Sequence, residues 1–139
     1  MRTDRNGLEV LERDECLALL ATSHVGRVGV SIGALPTVLP VSYRLVGEQV
    51  LFRTGVGSKL DAATVGAVIA FEVDDVDPIG HEGWSVVVTG VASVVEPESG
   101  DLPLPASAIP HWPVGEATRV LALPTGLVSG RRLTHRAVV

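Results

Sequence analysis

The stretch that decides the fold is residues 27–54, RVGVSIGALPTVLPVSYRLVGEQVLFRT. Its first part, residues 27–32, alternates loosely and is rich in Val and Ile, which is typical of a β-strand. After the turn residues GALP, positions 37–46 predict a second strand. Gly47-Glu48 then predicts a two-residue hairpin loop before a third strand at 49–54. Strands joined by such short turns are antiparallel, because a parallel pair needs a crossover of a dozen or more residues.

Pro40 lies inside the second of these strands. Proline has no backbone N–H, so it removes one donor from the hydrogen-bond ladder of a sheet. It therefore predicts that this part of the strand lies at an edge, at a bulge or against a ligand.

The rest of the chain predicts two short helices and three more strands. Apolar residues at near-helical spacing predict a helix at 11–21, and Ser58 is placed to cap a second helix at 58–65. Further strands are expected at 67–73, 84–95 and 119–128, with an acidic loop at 74–83 and a proline-rich loop at 96–115. The prediction is one mostly β (α+β) domain over residues 1–139, with about six antiparallel strands in a barrel or a sandwich.

The composition excludes several classes of protein. The formal net charge is −5, and the sequence has no basic stripe of the kind that binds nucleic acid. The single cysteine, Cys16, cannot form an internal disulfide and suits a reducing compartment. The polar amino terminus is unlike a signal peptide, and no apolar run reaches the roughly 18–20 residues of a membrane helix. We therefore expect a cytoplasmic protein, and the apolar content of 46% favours an oligomer.

The segment most informative about function is FRTGVGSK, residues 52–59. A strand end delivers Arg53 and Thr54, and a glycine turn then exposes backbone N–H groups. Ser58 and Lys59 open the helix that follows, where unsatisfied N–H donors favour an anion. Two cations and two hydroxyls around one point suit a phosphate monoester. The spacing is neither that of a Walker A loop nor that of a Rossmann turn. From these residues alone, a capped helix with solvated charges remains the alternative.

Five motifs follow one another along the chain. They are Gly26-Arg-Val, Leu39-Pro-Val-Ser-Tyr43, Phe52-Arg-Thr with Gly57-Ser-Lys-Leu60, Ala70-Phe-Glu-Val-Asp74, and Gly83-Trp-Ser-Val-Val-Val-Thr-Gly90. In this order and spacing they resemble the pyridoxamine 5′-phosphate oxidase-like family, and most closely its small bacterial branch with nitroimidazole-reductase-type proteins. The resemblance covers residues 10–95, and it extends less closely through Gly130-Arg-Arg132.

The resemblance implies a six-stranded antiparallel split β-barrel with a few short helices, which binds FMN between the two subunits of a homodimer. It assigns three groups of residues to the flavin. The phosphate group, which would hold the ribityl phosphate, is Arg53, Thr54, Ser58 and Lys59. The ring group, which would line the isoalloxazine ring, is Leu39, Pro40, Val41 and Ser42. The far group is Trp84, Ser85 and Arg131. Trp84 and Ser85 would reach the flavin from the other subunit, and Arg131, a late arginine, would close the site.

The leading functional hypothesis is an FMN-dependent oxidoreductase that moves hydride or electrons between the flavin and a small organic substrate. No side chain is assigned as a catalytic acid or base. Basic residues for a substrate phosphate are not evident, so oxidation of vitamin B6 is not expected. Two alternatives stay open: an oxidoreductase that uses the deazaflavin F420, and a non-catalytic flavin- or haem-binding protein.

The remaining residues with reactive or metal-binding side chains indicate little about function. The four histidines lack the spacing of a metal site, so no metal is expected; they are His24, His81, His111 and His135. The acidic run that starts at Asp74 does not match a calcium loop. Cys16 is expected to pack in the core, and Trp112 to cover a pocket mouth or anchor the proline-rich loop.

Overall fold

The structure, a computed structural model, describes residues 2–96, 108–109 and 117–134. Its elements, in chain order, are β1 (Glu9–Val10), α1 (Arg13–Leu20), β2 (Val25–Ile32), β3 (Leu35–Val46), β4 (Gln49–Gly55), α2 (Lys59–Thr64), β5 (Val68–Asp77), β6 (Glu82–Val91), β7 (Ser93–Val95), β8 (Thr118–Pro124) and β9 (Val128–Leu133). The strands form one sheet in the order β1-β9-β6-β5-β2-β3-β4-β8-β7, and neighbouring strands pair in antiparallel fashion.

The sheet closes because β6 and β7 are nearly one strand, interrupted only at the buried Ala92. β6 pairs with β5 and β9, whereas β7 pairs with β8 at the other end of the sheet order. Residues 82–95 therefore join the two ends of the sheet into a barrel. The barrel has the positions β6–β7, β5, β2, β3, β4 and β8, while β9 and β1 extend the sheet beyond β6.

These barrel positions coincide with the strands predicted from the sequence, and the prediction of a mostly β antiparallel split barrel is confirmed. The count of six is wrong for the described residues as a whole, because nine strands are present. β1 and β9 escaped the sequence analysis because their pairing depends on contacts between the two ends of the chain, Glu9 with Arg132 and Val10 with Arg131.

Two boundaries also differ from the prediction. The acidic loop expected at 74–83 is reduced to residues 78–81, because β5 continues as far as Asp77, opposite Glu82. The strand expected at 119–128 ends at Pro124, where the Thr125 N–H donates to the Glu48 carbonyl at 3.1 Å. Most of the proline-rich loop lies outside the described residues, and so do His111, Trp112 and His135.

The core is centred on Tyr43, Phe52 and Phe71, which are fully buried. The rings of Tyr43 and Phe71 meet edge to face, with centroids 4.9 Å apart and planes at 73°. The Tyr43 hydroxyl donates to the Leu20 carbonyl at 2.5 Å, which fixes the end of α1 against the barrel. Burial raises the pKa of Tyr43 to about 12, so this donor keeps its proton.

Two glycines from the sequence motifs are required by close packing. A Cβ at Gly26 would lie 2.5 Å from Cζ of the buried Phe71, and a Cβ at Gly83 would clash with the Asp75 carbonyl oxygen. These glycines let β2 and β6 pack tightly against their neighbours. Within the described part of the chain, no helix is long and apolar enough to span a membrane.

Candidate functional site

β3 and β4 pair only near their hairpin and then separate. Their register runs from Val46 opposite Gln49 to Tyr43 opposite Phe52, and no pairing follows. Beyond that point, residues 35–42 pair with β2, while Arg53–Gly55 pair with β8. We call this separation the β3/β4 split. The ring group lies on one arm of the split, and the phosphate group begins on the other.

The ring group occupies a half-strand that is paired on one side only. Within the described residues, positions 35–42 pair with β2 and with no second strand. Pro40 therefore lies at an edge, which confirms the first option predicted for it. Pro40 is exposed and Leu39 is half-buried, whereas Val41 and Ser42 are buried. This arm can offer backbone groups and a small apolar surface to a ligand.

The phosphate group lies around one tight turn. Arg53 is half-buried and Lys59 is exposed at the start of α2. Ser58 is the N-cap of α2, and its Oγ accepts a hydrogen bond from the Asp61 N–H at 3.0 Å. Thr54 is 1% exposed, and its hydroxyl donates to Asp61 Oδ1 at 2.7 Å. The positive charge of this turn comes mainly from Arg53 and Lys59, because a helix of only six residues, such as α2, adds little positive charge at its N-terminus.

The sequence analysis missed Asp61, which organises the turn. Asp61 is 5% exposed, and its carboxylate accepts from the Thr54 hydroxyl at 2.7 Å and from the Gly57 N–H at 3.0 Å. Arg119 Nε lies 3.1 Å from its Oδ1. One side chain thus ties together β4, the glycine turn, α2 and β8. The spacing from Ser58 to Asp61, an S-x-x-D pattern, is typical of a capping box and could have identified it.

A groove of about 320 Å³ adjoins this turn, and we call it the β4/β8 groove. Its lining combines two arginines and one glutamate with a mainly valine wall: Arg53, Val56, Val94, Val95, Glu96, Thr118, Arg119 and Val120. Val56 belongs to the glycine turn, and its N–H donates to the Ala117 carbonyl at 2.9 Å. The groove is therefore continuous with the phosphate group.

The far group is distant from the β3/β4 split along the sheet. Trp84 and Ser85 lie on β6, three strand positions from β3, and Arg131 lies on β9, one position further. At about 4.8 Å per strand, three positions correspond to roughly 14 Å along the sheet. Arg131 Nε donates to Asp4 Oδ2 at 2.9 Å. In the sheet order of one chain, the ring group and the start of the phosphate group lie on the neighbouring strands β3 and β4, whereas the far group lies on β6 and β9.

A charged cluster lies on the outer face between these regions. Arg27 NH1 is 3.1 Å from Glu72 Oε1 and 3.2 Å from Asp74 Oδ2, so one nitrogen binds two carboxylates. Partial burial, reinforced by Asp74, raises the pKa of Glu72 to about 7, although Arg27 opposes the shift.

Among the described candidates, Cys16, His24 and His81 do not line the β4/β8 groove. Cys16 is buried, and this burial raises the pKa of its thiol, in keeping with the predicted core position. His24 and His81 are both exposed. Among the residues that the structure describes, no group of three or more His, Cys, Asp or Glu side chains could hold a metal ion.

The closed antiparallel sheet and the β3/β4 split define a split β-barrel protein. Residues 12–132 match the family model described as pyridoxamine 5′-phosphate oxidase, and the chain belongs to this family. The family predicted from the five sequence motifs is thereby confirmed.

The chain is also similar to individual proteins of known sequence or structure. An uncharacterized protein of Mycobacterium tuberculosis is 44% identical over 94 residues, which make up 63% of this chain and 62% of that protein. The chain thus matches less than two thirds of the length of that relative. The structure of an FAD binding protein from Mycobacterium smegmatis is 28% identical, with a TM-score of 0.69, over 90% of this chain and 97% of that one.

A flavocytochrome from Azotobacter vinelandii has the same fold. Its TM-score is 0.74 at 17% identity, over 99% of this chain and 75% of that one. At this identity the similarity concerns the fold alone.

Proposed function

We propose that this protein binds an FMN group, either as FMN or within a larger nucleotide, and acts as an oxidoreductase on a small organic substrate. The observation that carries the proposal is the β3/β4 split, whose two arms present the ring group and the phosphate group. The similarity to an FAD binding protein of Mycobacterium smegmatis supports a flavin as the ligand.

The donors around the turn fit a phosphate. Arg53 and Lys59 supply two cations, and charge-assisted hydrogen bonds are the strong ones. The Ser58 Oγ accepts from Asp61 N–H, which leaves its own hydrogen available for a phosphate oxygen. Thr54 donates its hydrogen to Asp61, so in this arrangement it supports the turn. Its predicted contact with the phosphate stays a prediction.

The arm at residues 39–42 fits a flat aromatic ring. It is an edge with unpaired backbone groups and with Pro40 and Leu39 at the surface. Such surfaces combine an apolar wall with a few polar groups that set orientation. The flavin would supply the redox chemistry, while the protein would orient the substrate and tune the ring. The proposal assigns no catalytic side chain.

We propose that the site is completed by a second copy of the chain in a homodimer. Trp84 and Ser85 lie on β6 and Arg131 lies on β9, three and four strand positions from β3 in the sheet order, so they do not belong to either arm of the split. A partner related by a two-fold axis would bring its own far group to the split. The buried single cysteine is compatible with the cytoplasmic location we propose.

The test is an absorbance spectrum of the purified protein, followed by titration with FMN, FAD, F420 and haem at one salt concentration. We expect a flavin spectrum, or saturable flavin binding at about one per chain, in a particle that light scattering sizes as a dimer. Binding of F420 or haem in place of a flavin would keep the fold but overturn the proposed cofactor. A monomer that binds flavin would overturn the shared site.

A further inference from the structure

We propose that the β4/β8 groove holds the adenylate half of a flavin dinucleotide, so that the site selects FAD over free FMN. This inference rests on the proposed function, because it extends the nucleotide from the phosphate group of the same site.

The position of the groove supports this extension. Arg53 belongs to the phosphate group and also lines the groove, and Val56 lies in the turn between Arg53 and Ser58. A nucleotide whose first phosphate contacts Arg53 and Lys59 therefore has the groove directly beside it. FMN ends at that phosphate, whereas FAD continues through a second phosphate to adenosine.

The charges of the groove suit a second phosphate. Arg119 lines it, and the Arg119 side chain is 35% exposed. Asp61 Oδ1 lies 3.1 Å from Arg119 Nε, and this ion pair holds the guanidinium beside the groove. The planar, always charged guanidinium matches phosphate geometry. Arg53 and Arg119 thus provide one guanidinium for each phosphate of a pyrophosphate.

The walls of the groove suit an adenosine. Val56, Val94, Val95 and Val120 form an apolar surface for a base, and Glu96 is an acceptor for the exocyclic amine of adenine. The volume of about 320 Å³ is at the lower end of the roughly 300–1,000 Å³ of small-molecule pockets, which suits part of a ligand.

Two other grooves of the described residues do not fit this ligand. The groove beside Trp84 is bordered by three carboxylates, those of Asp75, Asp77 and Glu82, and by one arginine, Arg132, so its lining carries a net negative charge that repels a pyrophosphate. The groove beside Val38 has no charged residue in its lining. The combination of cations and apolar walls beside the phosphate turn points to the β4/β8 groove.

The experiment measures the dissociation constants of FAD and FMN for the full chain and for three variants. We expect wild type to bind FAD about tenfold or more tightly than FMN. Arg119→Gln removes the second guanidinium, and Thr118→Glu places a negative charge in the groove without touching Asp61. Both should lower the FAD preference about tenfold. Arg44→Gln, an exposed arginine on β3 outside the groove, should leave the preference unchanged.

The ratio of the two constants is the readout, because a general disturbance of the turn weakens both flavins together. If Arg119→Gln unfolds the chain by leaving Asp61 without its partner, Thr118→Glu still decides the question. Equal affinity for FAD and FMN in wild type, or an unchanged ratio in the variants, overturns the inference and leaves flavin binding intact. If neither flavin binds, the proposed function fails and the inference fails with it.

Discussion

Two regions of this barrel are held in opposite ways. The wall formed by β2, β5 and β6 is packed by shape, with Gly26 and Gly83 at points where no side chain fits. The corner formed by β4, the glycine turn, α2 and β8 is held by one buried carboxylate, that of Asp61, which binds Thr54 and Gly57 and pairs with Arg119.

The difference explains where a binding site can form. In the wall, the charged side chains of Arg27, Glu72 and Asp74 pair with one another on the surface of the strands. The corner, in contrast, needs polar groups to satisfy its own irregular backbone, and the same elements carry the half-buried Arg53 and Ser58 and the exposed Lys59. The proposed phosphate contacts therefore depend on Asp61, because Asp61 holds the corner that carries them. The wall carries none of these contacts.

The largest effect should come from breaking the corner. Asp61→Ala removes a buried acceptor and leaves Arg119 without its counter-charge. We expect a loss of about 3 kcal/mol in the free energy of unfolding, the low end for a broken buried pair because Arg119 is partly exposed. Urea unfolding measures it, with the exposed Asp75→Ala as the control. Equal small losses in both variants would show that the carboxylate does not hold the corner.

The next effect concerns flavin affinity. Arg53→Ala and Lys59→Ala should each weaken FMN binding by about 1.5–3 kcal/mol, the range for a hydrogen bond to a charged group. Fluorescence titration at fixed salt measures the affinity, with the exposed Arg44→Ala as the matched loss of charge. Wild-type affinity in both single variants would remove these residues from the site.

The stability of the wall should respond to added volume. Gly83→Ala forces the Asp75 carbonyl to move, and we expect a loss of about 1–3 kcal/mol in the free energy of unfolding. Gly29→Ala is the control, since its Cβ would meet the Ala70 Cβ at an ordinary 3.6 Å. Thermal melts compare the two variants, and a Gly83→Ala protein as stable as Gly29→Ala would contradict the packing argument.

The smallest expected effect is the pH dependence of stability that arises from the charged cluster of Arg27, Glu72 and Asp74. The pKa of Glu72 is raised from 4.5 to about 7, so the folded state binds a proton more readily than the unfolded chain. The free energy of unfolding should therefore fall as the pH rises from about 4.5 to about 7 and stay level above that. Screening at the surface limits the change to about 1 kcal/mol or less.

Glu72→Gln tests this dependence, because glutamine keeps the shape and does not titrate. Unfolding measured from pH 5 to pH 8 should show a flatter profile in Glu72→Gln than in wild type, with the variant more stable at pH 8. Parallel profiles would assign the pH dependence to other groups.

Much of the fold could be predicted because its determinants are local. The hairpin at Gly47-Glu48, the cap at Ser58 and the edge position of Pro40 follow from the conformational preferences of those residues. The positions of Arg53 and Lys59 beside one turn follow from a strand end and a helix start. Asp61 was within reach of the same reasoning through its spacing from Ser58.

The sequence by itself determined the strands, the turns and the cations, since alternation, turn chemistry and capping act over a few residues. Only the tertiary structure decided that β6 and β7 close the barrel at Ala92, that β9 pairs with β1 and β6, and that Arg119 reaches Asp61. These contacts join segments far apart in the chain. They depend on how the whole sheet twists and closes, which no local pattern encodes.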